Sequence, residues 1–366
     1  MSKCIMLGVD VHDATLVIKV ATGTEKAETR RVENTAKGRR DLWRELHSRA
    51  KRLRVARVVM AYEASCQGFG LCDEAGDQGF ECHVLAPTKI ERSASHRRRK
   101  TDEQDAQRIL EIVRGHVLAG NALPSVWVPD HQTREDREIV RSRLDVAEKI
   151  AVLKAQVQTL LKRHGLRRTS STGSGWTNAF EAWLRGLTGA HSALPHGARV
   201  ALATLLRQKA ALEEEVARLD CDVEALTETA RYAEPARALM SVRGVGLLSA
   251  MVVLTEMGDL SRFANRKQIG AYLGLVPSSD ETGECGERKG HITHQGSWRV
   301  RRALCQCTWS RVRTEASERA VYDRIVRKNP KHKKVAVVAA MRRLAVLLWH
   351  LGREAQARHG CFSKAA

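Results

Sequence analysis

The sequence predicts a mixed α/β N-terminal domain, a helical coiled-coil middle and a mainly α C-terminal domain. Three observations carry that division. Short apolar and β-branched runs alternate with helix-spaced runs up to about residue 118, two later stretches step their apolar residues by four and three, and beyond residue 236 helical patterns resume around glycines and arginine clusters. The boundaries that follow are 1–118, 119–235 and 236–366, and a chain of 366 residues is long enough to bury more than one core.

In the first part, Cys4–Val9 is an apolar run that ends at Asp10, Thr15–Ala21 is rich in β-branched residues, and Glu28–Asn34 alternates as an outer strand does. Three successive short strands predict a meander. Lys37–Arg52 then carries Leu42, Trp43 and Leu46 at helical spacing, Ala56–Ala61 reads as a buried strand, and Glu81–Ala86 is another, ending before Pro87. The order is β-β-β-α-β-α-β, closed by a helix over Glu103–His116, which is the order of an RNase H-like fold.

The middle carries Val146, Ile150, Leu153, Val157 and Leu160, and then Leu212, Val216, Leu219, Val223 and Leu226, both with the spacing of a coiled-coil seam. A helical hairpin within one chain and a coiled coil between chains satisfy this pattern equally. Between the seams, residues 169–175 read T-S-S-T-G-S-G, a linker composition with no apolar residue to bury.

The third part opens with Gly244 and Gly246 flanking Val245 between two helical patterns. Glycine has no Cβ to hold the backbone off a phosphate, so this reads as a helix-hairpin-helix-like element, though a plain helix turn uses the same residues. A polar loop is expected over Ser278–Gly290, with Arg288 and Lys289 in it, followed by a helix that Arg299, Arg301 and Arg302 open. Hydroxyls beside clustered arginines suit a phosphate site.

Lys and Arg number 62 and Asp and Glu 42, for a formal charge of +20, which makes a polyanion the expected partner. With 7 Trp, 4 Tyr and 5 Phe, contact with phosphates is favoured over long ladders of stacked bases. The nine cysteines are scattered with no Cys-x-x-Cys, which argues against a zinc ribbon or a disulfide scaffold. No leader pattern or run of 18 apolar residues is read, so the expectation is a reduced cytoplasmic protein without a membrane partner.

Acids at strand ends in so basic a chain call for a reason. Asp10 ends the first strand, Glu63 ends the run Val58–Tyr62, and Asp102 and Asp105 share one face at a helix start. In an RNase H-like order the first and central strands are neighbours and the last helix crosses their ends. Four carboxylates would then converge on Mg²⁺, which prefers oxygen ligands. Asp102 and Asp105 read separately also serve as helix caps, and Asp10 as a turn residue; the conjunction of all four favours the metal site. His12, His291 and His294 read as surface histidines. The run Arg97, Arg98, Arg99 and Lys100, just before the acids, reads as a nucleic-acid grip.

The segments G-V-D-V around Asp10, A-Y-E-A around Glu63 and K-T-D-E-Q-D-A around Asp102 and Asp105 resemble the DEDD domain of insertion-sequence transposases of the IS-one-ten type. The stretches S-V-R-G-V-G-L-L-S-A, R-F-A-N-R-K-Q-I-G-A-Y-L-G-L-V-P, K-G-H-I-T-H-Q-G-S and R-V-R-R-A-L resemble the second domain of that family. The resemblance spans nearly the whole chain. It implies a RuvC-like first domain, a coiled-coil middle and a C-terminal domain that supplies a nucleophilic serine. It also implies a DNA recombinase of an insertion sequence, guided to donor and target DNA by a structured noncoding RNA, the bridge RNA, with composite sites in a dimer or tetramer acting at the nucleoid. Asp10, Glu63, Asp102 and Asp105 take the four metal-binding positions, and the hydroxyl would attack phosphate to give a covalent intermediate. Where the family has Ser-Gly this chain has Thr282-Gly283, so Thr282 is the candidate nucleophile, with Ser279 and Ser278 as alternatives. Two other functions fit the residues: a RuvC-like nuclease of branched DNA that uses water, and a non-enzymatic nucleic-acid-binding protein.

Overall fold

The computed structural model describes residues 4–90, 101–168, 173–282 and 285–362, and for 279–282 and 285–289 the backbone alone. The chain divides into two compact units, Met1–Val128 and Pro129–Ala366.

The first unit is built on a five-stranded sheet. Strands β1 (Cys4–Val11), β2 (Thr15–Thr22) and β3 (Glu28–Glu33) form the expected antiparallel meander; β4 (Arg57–Glu63) pairs parallel with β1, and β5 (Glu81–Leu85) parallel with β4. The order is β3-β2-β1-β4-β5. Period-two alternation sorts the strands onto two cores. Ile5, Leu7 and Val9 of β1 face helix α1 (Ala36–Leu53), where Leu42, Trp43 and Leu46 are buried, and helix α2 (Gly70–Asp77). Cys4 and Met6 face the other way, with Val59 and Ala61, onto Ile109, Leu110 and Val113 of helix α3 (Asp102–Ala119). This mixed five-stranded sheet with helices on both faces has the element order expected of an RNase H-like domain. The outer side of β5 is covered by the segment after α3: the Val126 amide donates to the Val84 carbonyl at 2.8 Å and the Ala86 amide to the Pro124 carbonyl at 2.8 Å.

In the second unit, α4 (His131–Arg163) and α6 (His196–Glu228) run antiparallel along each other, tied by the bidentate pair of Arg143 with Asp220 at 2.7 and 3.1 Å. The two seams therefore meet inside one chain. At the far end Val157, Leu160 and Leu202 close over Phe180 and Leu184 of α5 (Asn178–Gly186). At the near end Val140 and Val223 enter the core of α7 (Ala233–Met240), α8 (Leu247–Met257), α10 (Trp298–Thr314) and α12 (Lys333–His359). Because that core is shared, the stretches 119–235 and 236–366 do not separate at residue 235. Helices α9 (Arg266–Tyr272) and α11 (Ala316–Lys328) complete the unit.

Residues expected as a polar loop over Ser278–Gly290 instead form a two-stranded ribbon, β6 (Pro277–Thr282) with β7 (Cys285–Ile292), irregular at two register shifts. The ladder satisfies backbone groups without apolar anchors, which the composition gave no way to foresee. Among the described residues one helical stretch, Pro330–His359, is long and apolar enough to cross a membrane. Its Ala340, Leu344, Leu348 and Trp349 lie in the core, and the Trp349 indole donates to the Leu260 carbonyl at 3.0 Å, as a packed core helix does.

Candidate metal-binding active site

Parallel pairing of β1 with β4 runs through Gly8 with Ala61 and Val9 with Tyr62, so the next residues along, Asp10 and Glu63, stand side by side at the strand ends. Both continue the face that packs on α3. Helix α3 reaches that face because residue 8 is glycine: a Cβ there would lie 2.2 Å from both the Ala106 carbonyl oxygen and the Leu110 nitrogen. The close crossing carries the first turn of α3, with Asp102 and Asp105, to the end of β1. Thr101 caps that turn through its hydroxyl, which accepts from the Gln104 amide at 3.3 Å, and the helix N-terminus favours carboxylates there.

Asp102 is exposed, Asp10 and Glu63 are half-buried, and Asp105 is only 8% accessible, 3.3 Å from the Arg108 guanidinium. His12 stands between two of the acids. Its Nε2 is 3.1 Å from Asp10 and 3.5 Å from Asp102, and ligand atoms of Asp10, His12 and Asp102 all lie within 4.8 Å of one another. His12, expected at the surface, keeps a side chain 43% accessible while it touches both acids. The available signal was its i, i+2 offset from Asp10, which puts both on one face of an extended strand.

Burial pushes the Asp10 carboxyl above its ordinary range; the His12 charge opposes this, and the like charges of Asp105 and Asp102 add to the rise. Like charges gathered about Asp10, which meets no arginine among the described residues, with oxygen as the main donor, suit a hard divalent cation. Glu103, between Asp102 and Asp105, turns away to Lys19 at 3.2 Å and Arg31 at 3.1 Å, pinning α3 to β2 and β3. Hydrogen bonds from Arg31 and then Lys19 hold its carboxyl below the usual range. Lys19, Arg31 and Arg108 line an open groove of about 960 Å³ together with Asp102, Glu103 and Glu111, so charges of both signs border the acids.

The other expected binding residues divide. Arg97, Arg98, Arg99 and Lys100 lie outside the described residues, as does Gly283. Thr282, Ser279, Arg288 and Lys289 are described in backbone only, where Thr282 pairs with Cys285 and Ser279 with Lys289 across the ribbon. The Ser278 hydroxyl donates to the His291 carbonyl at 3.2 Å. Gly244 sits between α7 and α8 at φ +84, where a Cβ would lie 3.1 Å from Arg311 and 3.2 Å from Ser310 of α10, so glycine is needed for packing; at Gly246 the space is open. Arg299 pairs with Asp145 of α4 at 2.8 Å and Arg302 with Glu148, while Arg301 donates to the carbonyls of Leu273, Gln295 and Gly296 at 3.2, 3.1 and 3.0 Å. These arginines hold α10 in place, a duty invisible in sequence because the acids lie on a distant helix.

Comparison with known proteins extends these observations. The family described as Transposase IS116/IS110/IS902 matches residues 236–323, and the DEDD transposase family of IS110 matches residues 7–165. A Sinorhizobium fredii protein named as a transposase, y4qE, is 29% identical, the match covering 96% of this chain and 89% of that one. A Pseudomonas aeruginosa protein named as a family 20 transposase is 28% identical over 80% of this chain and 83% of its own. The transposase for insertion sequence element IS1533 of Leptospira borgpetersenii is 23% identical over 74% and 75%.

Proposed function

From the premise that this chain belongs to the IS110 family of transposases and is an enzyme that cleaves and rejoins DNA, we propose that it is an RNA-guided recombinase working through a covalent protein–DNA intermediate. What supports the catalytic half is the cluster of Asp10, His12 and Asp102 ligand atoms, the like charge of Asp105 acting on Asp10, and the register of β1 with β4 that puts Glu63 at the neighbouring strand end. Asp10, Glu63, Asp102 and Asp105 would hold Mg²⁺. When bound, the ion supplies charge neutralisation at the scissile phosphate and its leaving oxygen.

The chain's own groups do the rest. The Thr282 hydroxyl oxygen attacks phosphorus, the P–O3′ bond breaks, and a DNA 3′-hydroxyl leaves with the phosphate held on the protein; the reverse attack by a 3′-hydroxyl of the other duplex rejoins the strands. Asp10 and Asp105 fix the acid end of the site, and His12 positions Asp10 and Asp102 through their shared contacts. Lys19, Arg31 and Arg108 draw the phosphate backbone into the groove. A structured noncoding RNA from the element supplies pairing to donor and target DNA. Self-association into a dimer or tetramer acting at the nucleoid, and a helix-hairpin-helix-like contact at the turn of Gly244 to Gly246, belong to the same reading.

The test is covalent trapping on nicked suicide DNA with the copurifying RNA present. Thr282→Ser should retain or raise the adduct, Thr282→Ala and Asp10→Ala should abolish it, and both alanine variants should still bind DNA. Adduct persisting in Thr282→Ala and lost in Ser279→Ala moves the nucleophile to Ser279. Cleavage with no adduct in any chain would replace this reading by water-dependent nuclease action.

A further inference from the structure

At the opposite end of the sheet from the acids, a second group of metal-competent side chains has no part in the chemistry above. Glu81 and His83 are two apart on β5 and share one face, the face on which Leu85 packs against α3. His116 lies in the last turns of α3, seven residues beyond Ile109 and three beyond Val113, and so on the same side of the helix. Ligand atoms of Glu81, His83 and His116 all lie within 4.8 Å of one another, and all three residues are half-buried.

Partners outside the cluster occupy one polar atom each of Glu81 and His116 and leave the other facing the group. Arg57 takes one carboxylate oxygen of Glu81, with Nε at 2.9 Å and a terminal nitrogen at 2.7 Å on Oε2, and the other oxygen, Oε1, lies 2.8 Å from His83 Nε2. Nδ1 of His116 lies 2.7 Å from the Asn121 carbonyl, which can only accept, so Nδ1 carries the proton and Nε2 the lone pair. A ligating histidine whose second nitrogen is committed to a backbone carbonyl, and a ligating carboxylate whose second oxygen is committed to a cation, are the outer supports that orient metal ligands. The His83 and His116 rings meet edge to face at 5.7 Å.

We infer that Glu81, His83 and His116 form a transition-metal site, best suited to Zn²⁺, that ties the C-terminal end of α3 to strand β5. Two imidazoles and one carboxylate are a borderline donor set that suits zinc over Mg²⁺ or Ca²⁺. Tetrahedral zinc needs such atoms about 3.3 Å apart, within reach of small side-chain rotations from the observed cluster. Three protein ligands leave a fourth position for water. The role is positional: α3 carries Asp102 and Asp105 on its first turn, and a metal clamp on its last turns would hold the helix that presents them. Sequence alone hides the site, because Glu81-x-His83 and His116 are far apart and no cysteine takes part.

Zinc binding to the full chain, measured by calorimetry and by Co²⁺ absorption in Mg²⁺-free buffer, tests this without reference to DNA chemistry. Wild type should take up one equivalent of Zn²⁺ and give the intense visible Co²⁺ bands of tetrahedral coordination, and it should melt at a higher temperature with zinc than with EDTA. His83→Ala and His116→Ala should each weaken that binding by about 100-fold or more, since loss of an outer support alone costs about 10–100-fold. Asp10→Ala and His12→Ala should keep it. His83→Gln and His116→Asn, checked for wild-type circular dichroism, stand in should the alanine variants misfold. A zinc equivalent that survives in the His83 and His116 variants but is lost in Asp10→Ala or His12→Ala overturns the inference, as does a wild-type chain with no zinc affinity, which would leave a simple Arg57–Glu81–His83 ion network.

Discussion

Asp10 is the residue at which folding and the proposed chemistry pull against each other. Its carboxyl is pushed above the ordinary range by burial and by Asp105 and Asp102, against the opposing charge of His12. A raised acid in the folded state favours the protonated form, so the stability it contributes is present in full below the unfolded carboxyl value of about 3.9 and is lost as pH rises through the folded value. At pH 7 without metal, Asp10→Asn should therefore melt higher than wild type, by about 1–3 °C, while cleavage falls below detection and DNA binding holds or tightens. Scanning fluorimetry in EDTA beside a cleavage assay checks both; a lower melting temperature would contradict the electrostatics. The placement of the four acids was legible because each ends a strand or opens a helix, positions that pattern alone marks out. His12 was not, since a single histidine carries no periodic signal, and Arg299 and Arg302 were misleading because their partners Asp145 and Glu148 come from a helix more than a hundred residues earlier.

Among the elements, the crossing of α3 over β1 turns on Gly8. Gly8→Ala would force a Cβ to within 2.2 Å of the Ala106 carbonyl oxygen and the Leu110 nitrogen, both backbone atoms that cannot swing aside. The variant should lose about 3 kcal/mol in denaturant unfolding, and its residual folded fraction should cleave poorly because Asp102 and Asp105 move with the helix. Unchanged unfolding would refute the close approach. In the other unit, Glu256 of α8 is buried and receives Arg141 of α4 at 2.7 and 3.2 Å. Burial works to raise its carboxyl, but the hydrogen bonds and charge of Arg141, and then the charge of Arg137, outweigh it and hold it below the usual range. Its contribution is thus present above the unfolded carboxyl value and lost as pH falls through the lower folded one. Glu256→Gln should cost about 3 kcal/mol at pH 7, and the difference from wild type should shrink in acid, read from urea midpoints across pH. Strand order and the α3 crossing followed from period-two and period-3.6 patterning. The β6–β7 ribbon did not, because polar strands without apolar alternation look like loop.

For the whole molecule the dominant quantity is a formal charge of +20. Binding to duplex DNA should fall with salt at a log–log slope of about −0.9 for each phosphate neutralised, and steeper than about −2 in total; a shallower slope would mean that phosphates are not the main contact. Reversing Arg97, Arg98 and Arg99 should flatten it. A different property follows from the cover that residues 124–126 lay along β5. Strand β3, at the other side of the sheet, carries Glu28, Arg30, Arg31 and Glu33, charges that discourage a second sheet from pairing there. Strand β5 has only Glu81 as a charged residue, at its start, and relies further along on the chain that follows α3. Cutting the protein at residue 118, where the sequence pattern suggests a boundary, would strip that cover and leave an open row of amides and carbonyls for a neighbouring copy to extend. A fragment ending at 118 should precipitate as intermolecular β-structure, while one ending at Val128 should stay in solution.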